Sequence, residues 1–182
     1  MSLPAQILKN RRMIWKLAKN DFRTKFAGSY LGTIWAFVQP VVTVLVYWFV
    51  FEIGFRGGQE GLPVPFVLYL VAGIVPWFFF QDALTGGTSA MISYNYLVKK
   101  VVFQIEVLPV VKLVSAFFVH AFFVVFTIFL YACYGRFPDL YVLQVLYYSA
   151  GLALLVLGIS YATCAVVVFF RDLAQIINIA LQ

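Results

Sequence analysis

Four stretches of this sequence carry no charged residue: 27–51, 61–81, 113–135 and 140–170. A helix rises about 1.5 Å per residue, and about 20 apolar residues cross the hydrocarbon core of a bilayer. All four are long enough, and the last has room for a tilt, a kink or a short surface segment. A fifth apolar run opens at Leu173 and ends with the sequence at Gln182, too short to cross. The expected fold is an all-α polytopic membrane protein with an amphipathic interfacial helix over 1–27. Spans are expected over 31–54, 63–82, 108–134 and 141–169, and 173–182 reads as the start of a fifth. The chain thus reads as a fragment within one transmembrane domain.

Composition agrees with that solvent. Hydrophobic residues make up 64% of the chain and charged residues 11%, where an average soluble domain has about 25% charged. Such a chain does not stay solvated as a disordered polymer. It also has more apolar surface than a water-soluble sphere of this size can hide. The formal net charge is +6, and residues 1–25 supply all of the excess: Lys9, Arg11, Arg12, Lys16, Lys19, Arg23 and Lys25 against the single acid Asp21. A basic head on an apolar body points to anionic membrane lipids and not to nucleic acid. Cys133 and Cys164 fall near opposite membrane faces in this topology, so they read as small packing residues and not as a disulfide.

Lysine and arginine placement orients the chain. With a cytoplasmic amino terminus, eleven basic residues lie inside, and only Arg56 and Arg136 lie outside. No signal peptide is expected, because the first apolar run begins late and lacks a small-residue cleavage site. On a helical wheel at about 100° per residue, Lys9, Arg12, Lys16, Lys19 and Arg23 share a sector of about 80°. Ile7, Ile14, Leu17, Ala18 and Phe22 gather opposite, while Arg11 and Lys25 break the pattern. Such a helix suits the inner leaflet, with Arg12, Lys16, Lys19 and Arg23 as lipid contacts. The loop over 83–107 is long, rich at first in Gly, Ser and Thr, then amphipathic around Met91, Tyr94 and Leu97. It reads as a cytoplasmic docking element, since the outer loops near 56–63 and 135–139 are short.

Polar residues inside spans are costly and usually face protein. Trp35, Gln39, Thr43 and Tyr47 recur every four residues on one side of the first span, and Pro40 is expected to kink it. Lys112, His120 and Thr127 share a sector of the third span, with Ser115 at its edge. In the fourth, Gly151, Gly158 and Ala162 offer a small-residue face for close packing. Ser149, Ser160, Thr163 and Cys164 line the other side. Each stripe has a plain explanation in helix-to-helix packing, and the lone His120 forms no metal site. The acids are single and dispersed, so no general acid/base pair is expected, and no phosphate-cradling Gly-rich Lys motif is present. The chain is expected to be no enzyme and to bind no ATP itself.

The local strings add a resemblance. Tyr30-Leu31-Gly32 with Trp35 and Gln39-Pro40 resembles the start of the first span in type-2 ABC exporter permeases. These belong to the branch that moves lipid-linked polysaccharides such as teichoic acid, O-antigen and capsule. Gly73 with Pro76-Trp77-Phe78-Phe79-Phe80 resembles that family's second span. Asn95, Leu97, Lys100, Phe103 and Leu108-Pro109 are similar to its loop before the third, and Phe169-Phe170-Arg171-Asp172-Leu173 to its turn before the fifth. The strings stand in family order. Trp48-Phe49-Val50-Phe51 with Arg56-Gly57-Gly58 looks most like the teichoic-acid members. Gln104 and Ile105 depart from the proline and basic residue usual there.

The resemblance implies a six-span fold, of which this chain would hold the first four spans. It implies two permease copies around a conduit and two ATPase subunits docked below, which hold the ATP and Mg. Met91, Tyr94, Asn95, Leu97 and Lys100 would couple to the ATPase, with Arg171 and Asp172 as a second contact. Trp35, Gln39, Thr43 and Tyr47 would line the conduit or gate, since aromatic faces suit the apolar faces of sugars. Two other classes remain open: a membrane anchor that recruits a cytoplasmic partner, and a membrane-embedded enzyme acting on polyprenyl-linked sugars.

Overall fold

The computed structural model describes residues 3–54, 64–95, 105–137 and 139–182, and every regular element among them is helical. Two helices form the head: α1 (Leu3–Lys9) and α2 (Arg11–Thr24). The first long segment opens with a 3-10 turn at Gly32–Ile34, continues as α3 (Trp35–Trp48) through Pro40, and closes with a π-turn at Phe49–Gly54. Next come α4 (Phe66–Thr88), the short α5 (Ala90–Ser93) and α6 (Leu108–Cys133). A 3-10 turn at Leu140–Leu143 leads into α7 (Gln144–Val167), and α8 (Asp172–Ala180) follows. Among the described residues, four helical stretches are long and apolar enough to cross a bilayer: Gly32–Phe51, Phe66–Thr88, Ile105–Cys133 and Leu140–Val167. The chain is an all-α polytopic membrane protein.

Helices α4 and α6 form the centre and run antiparallel. Gly86 lies beside Lys112 at one end, and the Tyr131 hydroxyl reaches the Leu68 carbonyl at 3.4 Å near the other. Helix α7 packs along α4, α8 returns beside both, and α2 lies against the head end of α6. Three clusters fill the spaces between them. Ile14, Ala18, Tyr94, Leu108, Val111 and Cys164 pack at the head end. Phe79, Leu84, Ala116, Val156 and Leu181 pack in the middle. Val71, Val75 and Phe123 pack farther along, where Phe37, Val41 and Val44 bring α3 onto the bundle.

Two expectations change. The stretch from 83 is not loop at its start, because α4 continues to Thr88 and α5 follows. Its small residues have weak helix propensity, but they let α7 approach. Thr88 and Thr163 hydroxyls meet at 2.8 Å, and a β-carbon on Gly87 would stand 2.7 Å from Ser160 Cβ. That contact replaces the expected one at Gly151, Gly158 and Ala162, which are all exposed. The fourth helix packs through Val156, Ser160, Cys164 and Val167 instead.

Helix α6 starts on Leu108-Pro109, where a missing N–H costs nothing because first-turn donors have no intrahelical acceptor. It ends at Gly135, whose φ of 74° permits a left-handed cap. The Gly135 and Arg136 N–H groups donate to the Ala132 and Tyr131 carbonyls, each at 3.0 Å, which satisfies two terminal acceptors. Both cysteines are free, Cys133 exposed and Cys164 buried.

Candidate functional site

Among the described residues, a linked polar arrangement lies at the head end, where α2, α4, α5 and α6 converge. Asp21 Oδ1 accepts from Lys112 Nζ at 2.6 Å and from the Tyr94 hydroxyl at 2.9 Å. The triangle closes on its third side, since the Lys112 ammonium stands 5.1 Å from the Tyr94 ring centroid. The Lys112 and Asp21 side chains are mostly buried, 16% and 12% exposed. A second ion pair joins Lys25 to Asp82, and it is far more open to solvent. Both pairs border a cleft of about 590 Å³, lined also by Asn20, Thr85, Ser89 and Asn178.

Sequence reasoning missed this node. There Asp21 enters only as the single acid of the head, and Lys25 as a break in the wheel. A signal was present: at about 100° per residue both fall in the sector of Ile14, Ala18 and Leu17, the face that a helix buries. A charge on such a face needs a partner, and the partners are Lys112 and Asp82.

The head itself divides as its wheel implies. Arg12, Lys16, Lys19 and Arg23 are all exposed, while Ile14 and Ala18 are buried. The apolar face is spent largely on protein. Trp15 and Phe22 set their rings edge-on to Phe118 of α6, at 5.1 and 5.9 Å between centroids.

The expected coupling residues separate. Tyr94 is 6% exposed, and Met91 is half-buried against the same cluster, so both face inward. Tyr94 is therefore a link inside the chain, with its hydroxyl on Asp21, and not an exposed docking residue. Asn95 is exposed, as are Arg171 and Asp172 at the start of α8. Asp172 in that first turn suits the positive end of the helix dipole. Leu97 and Lys100 lie outside the described residues.

The stripe on α3 points away from the bundle. Trp35 and Tyr47 are 41% and 42% exposed, Gln39 is exposed, and Thr43 is half-buried and donates to the Gln39 carbonyl at 3.0 Å. The residues that pack on α4 and α6, Phe37, Val41 and Val44, lie roughly 150° around the helix from the stripe's centre. Among the described residues, packing on α4 and α6 falls to Phe37, Val41 and Val44 and not to these four.

Deeper in the bundle, His120 Nε2 meets Ser149 Oγ at 3.1 Å, and the imidazole lies against Phe79 with centroids 4.5 Å apart. Lys112, on the same face of α6, is drawn instead to the head. Among the described residues, no group of three or more His, Cys, Asp and Glu side chains is placed to hold a metal ion.

No protein-family model matches the chain. Among curated proteins, it is 29% identical over 178 residues to an O-antigen export system permease protein of Myxococcus xanthus, covering 97% of this chain and 66% of the relative. It is 24% identical over 172 residues to the Klebsiella pneumoniae protein of the same name, covering 91% of this chain and 63% of the relative. The chain thus spans just under two thirds of the length of these relatives. Along nearly all of its own length, it is similar to the permease proteins of O-antigen export systems, which belong to the family that its strings at 30–40, 73–80, 95–109 and 169–173 resemble.

Proposed function

We propose that this chain is the membrane-spanning part of an ABC exporter that moves a lipid-linked polysaccharide of the O-antigen kind across the cytoplasmic membrane. The amino terminus is cytoplasmic in this reading. A separate ATPase subunit hydrolyses ATP with Mg, and a second permease copy completes the conduit. What carries the reading is the likeness to two O-antigen export permeases across more than nine tenths of the chain. The geometry supports it at α3, where Trp35, Gln39, Thr43 and Tyr47 stand on the unpacked face, available to a second copy or to a sugar. Both relatives carry O-antigen names, so the teichoic-acid likeness of 48–58 is not carried forward.

In this reading ATP-driven motion enters through the segment that begins at α5 and through Arg171 and Asp172. Arg12, Lys16, Lys19 and Arg23 hold the head at the anionic inner leaflet, each cation contributing about 1 kcal/mol near such a surface. An enzyme reading finds little support, because Glu52, Asp82, Glu106, Asp139 and Asp172 are single and dispersed along the sequence. The anchor reading leaves the α3 stripe without a task.

The test is an affinity purification of the endogenous permease, tagged at its amino terminus, from native membranes. A stoichiometric ATPase subunit that is lost on deletion of 91–97 is the expected result. A purified complex without any ATPase would sink the exporter reading.

A further inference from the structure

We propose that Asp21 is a positioning residue that ties the interfacial helix, the third span and the segment after α4 into one moving body. The proposal rests on the exporter reading only for the direction of the motion; the tie itself is a matter of geometry.

One carboxylate oxygen holds two donors from two different elements, Lys112 of α6 at 2.6 Å and Tyr94 just after α5 at 2.9 Å. Lys112 lies beside α4 on its way to Asp21. A β-carbon on Gly86 would lie 3.7 Å from Lys112 Cβ, so the lysine stem passes over that helix where it carries no side chain. Four elements therefore meet at one charge. The second bridge runs the other way: the head supplies the acid to Lys112 but the base to Asp82. Asp21 and Lys25 are four residues apart and so share a face, and the two bridges have opposite polarity. This reciprocity fixes register. Sliding or rolling the head on the bundle would set Asp21 toward Asp82, or Lys25 toward Lys112, and like charges would repel.

Apolar packing shares in that register: Ile14 and Ala18 are buried among Leu108 and Val111, and Trp15 and Phe22 set their rings on Phe118. The mostly buried charge pair adds a penalty that packing lacks, because either partner left alone in a poorly solvated place is costly. Displacing Tyr94 therefore moves Asp21, and α2 with it. Motion delivered to the segment after α4 would reach the basic face of the head, about one helix diameter away, without passing through the conduit.

The experiment uses the complete permease with its ATPase in native membranes. Three variants are compared with wild type: Asp21→Asn, Lys112→Asp, and the exchange Asp21→Lys with Lys112→Asp. Each is also made with Trp15→Cys and Phe118→Cys, which a short bifunctional thiol reagent can join. The readouts are polysaccharide export, co-purifying ATPase, and the yield of the Trp15–Phe118 crosslink. At normal abundance, the single variants should export at least ten-fold less and crosslink less efficiently. The exchange should recover half or more of export, and so should crosslinking α2 to α6 in Asp21→Asn. Unchanged export and crosslink yield in both single variants would overturn the proposal, as would an exchange no better than Lys112→Asp alone. If the single variants fail to accumulate, the crosslinked protein with native Asp21 decides. Retained export upholds one moving body, and lost export refutes it. A wild-type permease that carries no ATPase and exports nothing refutes the exporter reading instead. The crosslink yield in Asp21→Asn still tests the tie in that case.

Discussion

Gly87 of α4 and Ser160 of α7 are in such close contact that a β-carbon on the glycine would stand 2.7 Å from Ser160 Cβ. Ser160 Oγ is buried there. Gly87→Ala forces the helices apart at the point where Thr88 and Thr163 share a hydrogen bond, a strain of about 1–3 kcal/mol. The purified variant should lose thermal stability, and Ser160→Gly added to it should restore most of the loss. A stable Gly87→Ala protein would show that the helices separate freely.

The two ion pairs should respond unequally to loss of one partner. Lys112→Met leaves Asp21 in a mostly buried place with one donor fewer, and breaking such a pair costs about 3–5 kcal/mol. For a chain of this length that corresponds to a fall in melting temperature on the order of 10 °C. Asp82→Asn removes a pair whose side chains are 45% and 35% exposed, worth about 0–1 kcal/mol. Thermal unfolding of the purified variants in detergent reads both. Equal falls would mean that solvent reaches the two pairs alike.

These contacts also mark where the sequence was legible and where it was not. Spans are written in single residues: a charge ends an apolar run, and four runs between charges gave four helices. Asp82 ends the second apolar run but not α4, because Lys25 pairs with its carboxylate and the helix passes it to Thr88. Small residues after Asp82 looked like loop, but a small residue also allows close helix approach, and only the position of Ser160 separates the two meanings. Asp21 and Lys112 are 91 positions apart, and nothing in either neighbourhood names the other. Asp21 does fall on the buried sector of the wheel, but a wheel names no partner. Trp35, Gln39, Thr43 and Tyr47 were legible as a stripe, while the side of the bundle they face depends on packing by Phe37, Val41 and Val44.

That opposition gives a labelling experiment on α3. In a protein with Cys133→Ser, a cysteine replacing Tyr47 should react with a small thiol reagent in membranes, and one replacing Val41 should not. Tyr47 stands 42% exposed, whereas Val41 packs against Val71, Val75 and Phe123. If Tyr47 lines a conduit, its labelling should also rise when the ATPase turns over. Equal labelling at both positions in every state would remove the stripe from the transport path and leave it facing lipid.

Orientation can be read from the native thiols. Cys133 is exposed at the end of α6, one turn beyond Phe129, and Cys164 is fully buried beside Leu108 and Val111. Because α6 begins at the head end, Cys133 lies at the far end of the third span. With a cytoplasmic amino terminus it faces outward. A charged thiol reagent that does not cross membranes should therefore label Cys133 in intact spheroplasts, and Cys133→Ser should remove that labelling. Cys164 should react only after denaturation, since a thiol in the packed core is shielded from solvent. Labelling of Cys133 in inverted vesicles but not in spheroplasts would place the amino terminus outside. The basic face of α2 would then stand away from the cytoplasm, and the lysine and arginine asymmetry would have pointed the wrong way.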